Sequence, residues 1–246
     1  FFEWVYFSNV ASVIDASSVY VARSRLGQRL AELEDQPIDE QSIVVPVPDT
    51  AKAAGDAFAY QLGIPSVEGL MRNRYGGRTF IQSGATRGRS AKSKYTPVPE
   101  VLAGRRVFLV EDSIVRSTTL RTLVSQIRRH GRAKEVHVRV ACPPIVSPCF
   151  YGIDMSTLGE LFAPSFVPAR YAGEPDDATF RKMAEALGVD SLRYLAVSDL
   201  GPCLQIDADS LCTGCVTAKY PTTWGNTLIR RARSNLRDGR AGRTYE

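Results

Sequence analysis

The stretch from Arg106 to Leu120 constrains the fold more than any other part of the chain, because its character changes abruptly over a short span. Val107-Phe-Leu-Val110 is an apolar run with β-branched residues at both ends, and it reads as a buried parallel strand. Glu111 and Asp112 follow at once, at the carboxyl end of that strand, where open α/β sheets bind their ligands. Ser113, Ser117, Thr118 and Thr119 then crowd hydroxyls into a loop before Leu120, Leu123 and Ile127 resume a helical period. A hydroxyl-rich loop that opens a helix offers backbone N–H groups and the positive end of the helix dipole, so it can cradle a phosphate. The plain structural alternative is a strand followed by a helix capped by Asp112 or Ser113.

Pairing the two halves of this stretch narrows the ligand. The loop has neither the Gly-rich run with a lysine that a nucleotide P-loop needs nor the G-x-G-x-x-G of a dinucleotide site. Two acids beside a phosphate site must meet hydroxyls or a metal ion. A ribose 5-phosphate unit meets that demand, with its phosphate in the loop and its 2- and 3-hydroxyls, or a Mg²⁺ that bridges them to a pyrophosphate, facing Glu111 and Asp112. These residues resemble the phosphoribosyl pyrophosphate (PRPP) motif of type I phosphoribosyltransferases.

A second strand-loop-helix unit lies upstream. Ile43 to Val45 form a buried strand, Pro46 and Pro48 stiffen a turn, and Asp49-Thr50 open an Ala-rich helix that runs to Leu62. This is a second anion site, and the pyrophosphate end of the same ligand is its natural partner. Near the start, Ser17 or Ser18 can cap a helix with Val21, Leu26, Leu30 and Leu33 on one side. Glu34 and Asp35 oppose the dipole at its far end, which predicts an exposed, frayed terminus and little functional weight.

Arg72 to Lys94 is long, basic, rich in Gly and Ser, and without apolar periodicity. A polar segment of that length between two anion loops reads as a lid over a polyanionic substrate, with a solvated charge run as the bland alternative. Lys134 to Cys142 alternates as a strand, with His137 on its polar side as a surface or packing residue, and a helix from about Asp176 to Leu187 follows. The fold class that emerges is α/β: an open, mostly parallel sheet with helices on both faces and a flexible lid loop.

Composition adds exclusions. At 44% hydrophobic and 23% charged, with a net charge of +5, the chain is ordinary for a globular protein. It has no apolar run long enough to span a bilayer and no leader at Phe1, so a cytoplasmic address is expected. The tail from Arg230 to Arg243 is basic, which is compatible with nucleic acid, but no nucleic-acid-binding motif accompanies it and such binding is not expected. An odd set of cysteines argues against a disulfide framework, and Cys212-Thr-Gly-Cys215 suits a metal, an iron–sulfur cluster or a redox pair.

The order of Phe2-Glu-Trp-Val-Tyr-Phe7, Val45-Pro-Val-Pro-Asp-Thr50, Asn73-Arg-Tyr-Gly-Gly-Arg-Thr-Phe-Ile81, the Glu111 motif, Pro148-Cys-Phe-Tyr-Gly-Ile-Asp154 and Cys212-x-x-Cys215 resembles glutamine PRPP amidotransferase over nearly the whole chain. The resemblance implies a single phosphoribosyltransferase domain over residues 1–246 with a cysteine-containing extension from about residue 200. The glutaminase half that precedes it in that family is absent from this sequence. It further implies amination of PRPP by glutamine-derived ammonia, the first step of purine synthesis, with Mg²⁺, homo-oligomeric assembly and purine nucleotides as candidate inhibitors. A PRPP-binding regulator or a catalytically weakened assembly subunit is the alternative.

Carried onto this sequence, the family pattern assigns Glu111 and Asp112 to the ribose hydroxyls and Mg²⁺, and Asp49 and Thr50 to the pyrophosphate. Ser113, Arg116, Ser117, Thr118 and Thr119 fall to the 5-phosphate, and Arg72, Arg74 and Tyr75 to the loop that orders over PRPP. Cys149, Cys212 and Cys215 match three of four cysteines that hold a 4Fe-4S cluster in one branch, the fourth standing just before the Phe-Glu-aromatic segment. Glu111 and Ser117 stand where the family usually has aspartate and glycine, and Arg72 where it usually has lysine.

Overall fold

The Ser18 hydroxyl accepts the Val21 N–H and so caps helix α1 (Val19–Glu32). The remaining units follow the expected order in this computed structural model, which describes residues 1–73, 94–167 and 175–240. Strand β1 (Ser42–Pro46) leads into helix α2 (Lys52–Leu62), which stops on Gly63 in the left-handed region. Strands β2 (Leu70–Arg72) and β3 (Tyr95–Pro97) pair as a small antiparallel ribbon. Strand β4 (Arg106–Glu111), helix α3 (Ser117–Arg129), strand β5 (Glu135–Val140), helix α4 (Asp177–Leu187) and strand β6 (Ser191–Tyr194) complete the α/β alternation, and helix α5 (Thr223–Arg237) ends the described chain.

Strands β1, β4, β5 and β6 form one parallel sheet in that order. Ser66, after α2, bridges Val44 in parallel on the other side of β1. The chain therefore leaves β1 toward one edge and leaves β4 toward the other. Because parallel crossovers are right-handed, α2 and α3 fall on opposite faces. Phe58 of α2 meets Phe108 of β4 with ring centroids 5.9 Å apart, which fixes the α2 face. Helix α1 lies against α2 at a point where only glycine fits: a Cβ on Gly27 would sit 2.0 Å from the Ala54 carbonyl oxygen.

The polar side of β5 is internal, since His137 and Arg139 are both buried, and His137 is the packing residue of the two alternatives the sequence left open. Covering both faces of a parallel sheet makes even its alternate polar residues internal, so each must be matched. Arg139 donates to both carboxylate oxygens of Glu34 at 2.5 and 2.6 Å and to the Ser191 hydroxyl at 2.9 Å. His137 lies between Ser191 and Glu135, 2.8 and 3.2 Å away, and stacks on Phe108. The end of α1 is consequently not frayed: Glu34 pairs with Arg139 and Asp35 with Arg193, and these cations outweigh the helix dipole.

Beyond the main core, α5 buries Leu228, Ile229 and Ala232 against Phe150 and Tyr220 in a second, smaller apolar cluster. Among the described residues no helix is long and apolar enough to cross a membrane.

Candidate active site

Parallel pairing of Pro46 with Val110, and a 2.8 Å hydrogen bond from the Val47 N–H to the Val110 carbonyl, bring the loops after β1 and β4 side by side at the carboxyl edge of the sheet. Glu111 is the last residue of β4, and its side chain accepts the Asp112 N–H at 3.2 Å. The Asp112 carboxylate is buried; it accepts the Ser113 hydroxyl at 2.8 Å and the Thr50 hydroxyl from the neighbouring loop. Helix α3 then starts at Ser117 with no side chain capping its first turn. Its amides are left for an anion. Ser117 has no positive φ, so the serine is accommodated without backbone strain where the family usually has glycine.

Thr50, Glu111, Asp112 and Ser113 share one cavity of about 670 Å³, which also receives Asp49, Arg72, Lys94, Tyr95, Arg116 and Thr119, whereas Ser117 and Thr118 are not among its lining residues. Arg72 pairs with Asp49 across the mouth. Arg116 donates to Ser156 and pairs with Glu160 at 3.2 Å, which turns it toward the loop after β5. Arg74 and Tyr75, with most of the expected lid, lie outside the described residues.

Burial pushes the Glu111 carboxyl well above its ordinary range, and the Asp112 charge pushes it further. Burial also raises Asp112, opposed by donation from Thr50 and Ser113 and by the charge of Arg23. A buried acid and a partly buried one that resist ionisation together are prepared for a cation or a set of hydroxyls. Mg²⁺ fits such a pair, because it commonly takes one or two carboxylates and completes its shell with water and substrate phosphate oxygens.

Several cavity residues were not legible as site residues. Lys94 and Tyr95 read only as the end of a basic segment. Phe2, Tyr6 and Phe7 line the cavity from a short π-helical turn, Glu3–Phe7. Arg23 of α1 holds that turn by donating to the carbonyls of Trp4, Tyr6 and Ser8 at 2.8, 3.0 and 2.9 Å. The helix expected to carry little weight therefore supports the aromatic wall, and no feature of the sequence around Arg23 signals this.

Cys149, Cys212 and Cys215 are free thiols, intermediate, exposed and buried respectively. Burial pushes the Cys215 thiol up to about 12, with Cys149 and Cys212 contributing, so the three share one electrostatic neighbourhood. Among the described residues no set of three His, Cys, Asp or Glu side chains converges on one metal ion.

A four-stranded parallel sheet flanked by helices, with an acid pair and a hydroxyl-rich helix start at its carboxyl edge, defines the phosphoribosyltransferase class of α/β domain. The solved glutamine PRPP amidotransferase from B. subtilis, in complex with ADP and GMP, superposes with a TM-score of 0.74 at 40% identity, over 89% of this chain and 46% of that one. Curated amidophosphoribosyltransferases from Methanocaldococcus jannaschii and Mycobacterium tuberculosis are 45% and 38% identical over 90% and 98% of this chain. No family model matches. The chain is a homologue of amidophosphoribosyltransferase, and it spans less than half the length of these relatives, 43% and 45%.

Proposed function

We propose that this chain is the phosphoribosyltransferase portion of an amidophosphoribosyltransferase, which joins ammonia to C1 of PRPP and releases pyrophosphate. The observation that carries this reading is the union of two anion loops through Thr50 and Asp112 beside a buried acid pair. Asp112 and Glu111 hold the ribose hydroxyls, and the open first turn of α3, from Ser117 to Thr119, takes the 5-phosphate with Ser113 and Arg116 beside it. The Asp49–Thr50 loop takes the pyrophosphate, with Arg72 at its mouth; Arg74 and Tyr75 are proposed to contribute to PRPP binding. Glu111 and Asp112 would also hold Mg²⁺, which when bound neutralises charge on the pyrophosphate.

The chemistry asks for position more than covalent work. As pyrophosphate leaves, positive charge grows on the ribose ring, so the residues must fix C1 for in-line attack and keep the leaving group neutralised. A glutaminase domain or subunit supplies the ammonia, and the complex of the B. subtilis relative with ADP and GMP supports purine nucleotides as inhibitors. Assembly is homo-oligomeric and the location cytoplasmic on this reading. Cys149, Cys212 and Cys215 would hold three corners of an iron–sulfur cluster, completed by a fourth thiolate near the Phe1 amino group. The segment from about residue 200, whose last helix packs with Tyr220 on Phe150, forms an extension that carries Cys212 and Cys215.

The test is pyrophosphate release from PRPP with ammonium and Mg²⁺ in place of glutamine. Turnover is expected, with phosphoribosylamine formed in equal amount. Tight PRPP binding without pyrophosphate release would instead identify a regulator or an assembly subunit.

A further inference from the structure

Arg116 is the last residue before helix α3, so its placement decides how the hydroxyl-rich loop enters the helix. It lines the cavity together with Ser113, Ile114 and Val115, and Asp154, Met155 and Ser156 line the same cavity from the segment after β5. Three ties join these two stretches. Arg116 Nε donates to the Ser156 hydroxyl, its Nη2 pairs with Glu160 at 3.2 Å, and the Phe162 N–H donates to the Val115 carbonyl at 3.0 Å.

Glu160 is not among the residues that line the cavity, yet both of its carboxylate oxygens are engaged. Oε2 accepts the Thr157 N–H at 2.9 Å and the Thr157 hydroxyl at 2.8 Å, which closes the capping box of a short 3₁₀ turn, Leu158–Glu160. Oε1 faces Arg116. One side chain thus fixes its own turn with one oxygen and a cavity guanidinium with the other. Arg116 is held at Nε and Nη2, while its Nη1 has no partner among the described residues. A planar guanidinium anchored at two nitrogens has its third in a set direction, which suits recognition of a phosphate.

We propose that Glu160 is a positioning residue for the 5-phosphate arm: from outside the cavity it orients Arg116, and Arg116 sets the Ser113 to Thr119 loop and gives its remaining nitrogen to the phosphate. This rests on the phosphoribosyltransferase reading of the cavity. The two side chains are 53% and 46% exposed, so their pairing adds little to the stability of the fold by itself. Its consequence lies in the ligand, which meets a cation already ordered and need not order one on binding.

Glu160→Gln isolates the pairing, because glutamine closes a capping box as glutamate does. Its amide oxygen can keep the Thr157 N–H, and its NH₂ then meets the guanidinium donor against donor. Dissociation constants of ribose 5-phosphate and of magnesium pyrophosphate are measured separately, with thermal midpoints, for the unmodified chain, Glu160→Gln, Arg116→Gln and the double variant. In Glu160→Gln, ribose 5-phosphate should bind roughly three- to tenfold more weakly and pyrophosphate within about twofold, with a midpoint within about 3 °C of the unmodified chain. Added to Arg116→Gln, the same change should cost less than about twofold, since its route through Arg116 is gone. Unchanged or tighter ribose 5-phosphate binding in Glu160→Gln overturns the proposal, as does an equal loss for both ligands or a loss that persists in the Arg116→Gln background. If the unmodified chain binds neither ligand, the reading of the cavity fails first and the role of Glu160 falls with it.

Discussion

The hydroxyl of Thr50 donates to the carboxylate of Asp112, joining two loops 62 residues apart in the chain. The bond ties the Asp49–Thr50 loop to the acid pair, and it also favours the ionised form of a buried carboxylate. Thr50→Val keeps the shape and removes the donor. The loss of a hydrogen bond to a charged group is worth about 1.5–3 kcal/mol. Urea unfolding should show a destabilisation of that order, and magnesium-dependent PRPP binding should weaken at least tenfold. An unchanged affinity would mean that the two loops act independently.

Glu111 sets a pH dependence whose sign follows from its burial. Its carboxyl is held above the ordinary value of 4.5 in the folded chain. An acid with a raised folded pKa stabilises the fold below its unfolded pKa, and that contribution is lost as pH rises through the folded value. Without Mg²⁺, Glu111→Gln should therefore gain stability over the unmodified chain as pH rises above 4.5, measured as the difference in thermal midpoint across pH. With Mg²⁺ and PRPP present the order should reverse, because the cation uses the ionised pair that the variant lacks. Parallel midpoints at every pH would show that Glu111 is not the titrating group.

The central strand, both anion loops and the helices that follow them were legible because each couples a period to a chemical discontinuity, as at Val110–Glu111 and Pro48–Thr50. What escaped the sequence depends on pairings between distant segments. Nothing near Arg23 indicates that it holds three carbonyls of the Trp4–Ser8 segment. Nothing near Tyr95 indicates that its hydroxyl donates to the Pro48 carbonyl. The buried polar side of β5 was not legible for a related reason: alternation normally reports a wet face, and here a buried counter-charge, Glu34, stands opposite Arg139 in place of water.

That counter-charge carries a stability prediction. The side chains of Arg139 and Glu34 are only 1% and 2% exposed, so each is the other's principal solvent. Removing one partner of a buried pair strands the remaining charge and costs about 3–5 kcal/mol. Glu34→Ala should lower stability by that amount in urea unfolding. The double variant Glu34→Leu with Arg139→Met should recover most of the loss, since it leaves no charge unpaired. A double variant as unstable as the single one would assign the effect to packing instead.

Ser117 offers a final discrimination, between a residue that limits the phosphate site and one that merely starts a helix. It opens α3 and has no positive φ, so glycine is not required there for backbone geometry. The remaining reason for glycine is close approach of the phosphate, which a Cβ and hydroxyl could either obstruct or assist with a hydrogen bond. Since the α3 amides are uncapped and the hydroxyl lies at the first helical position, the serine is expected to add a donor. Ser117→Gly should then weaken ribose 5-phosphate binding by about threefold and lower stability by up to about 1 kcal/mol. Tighter binding in the glycine variant, measured by calorimetry, would reverse the assignment and make the Ser117 side chain an obstruction.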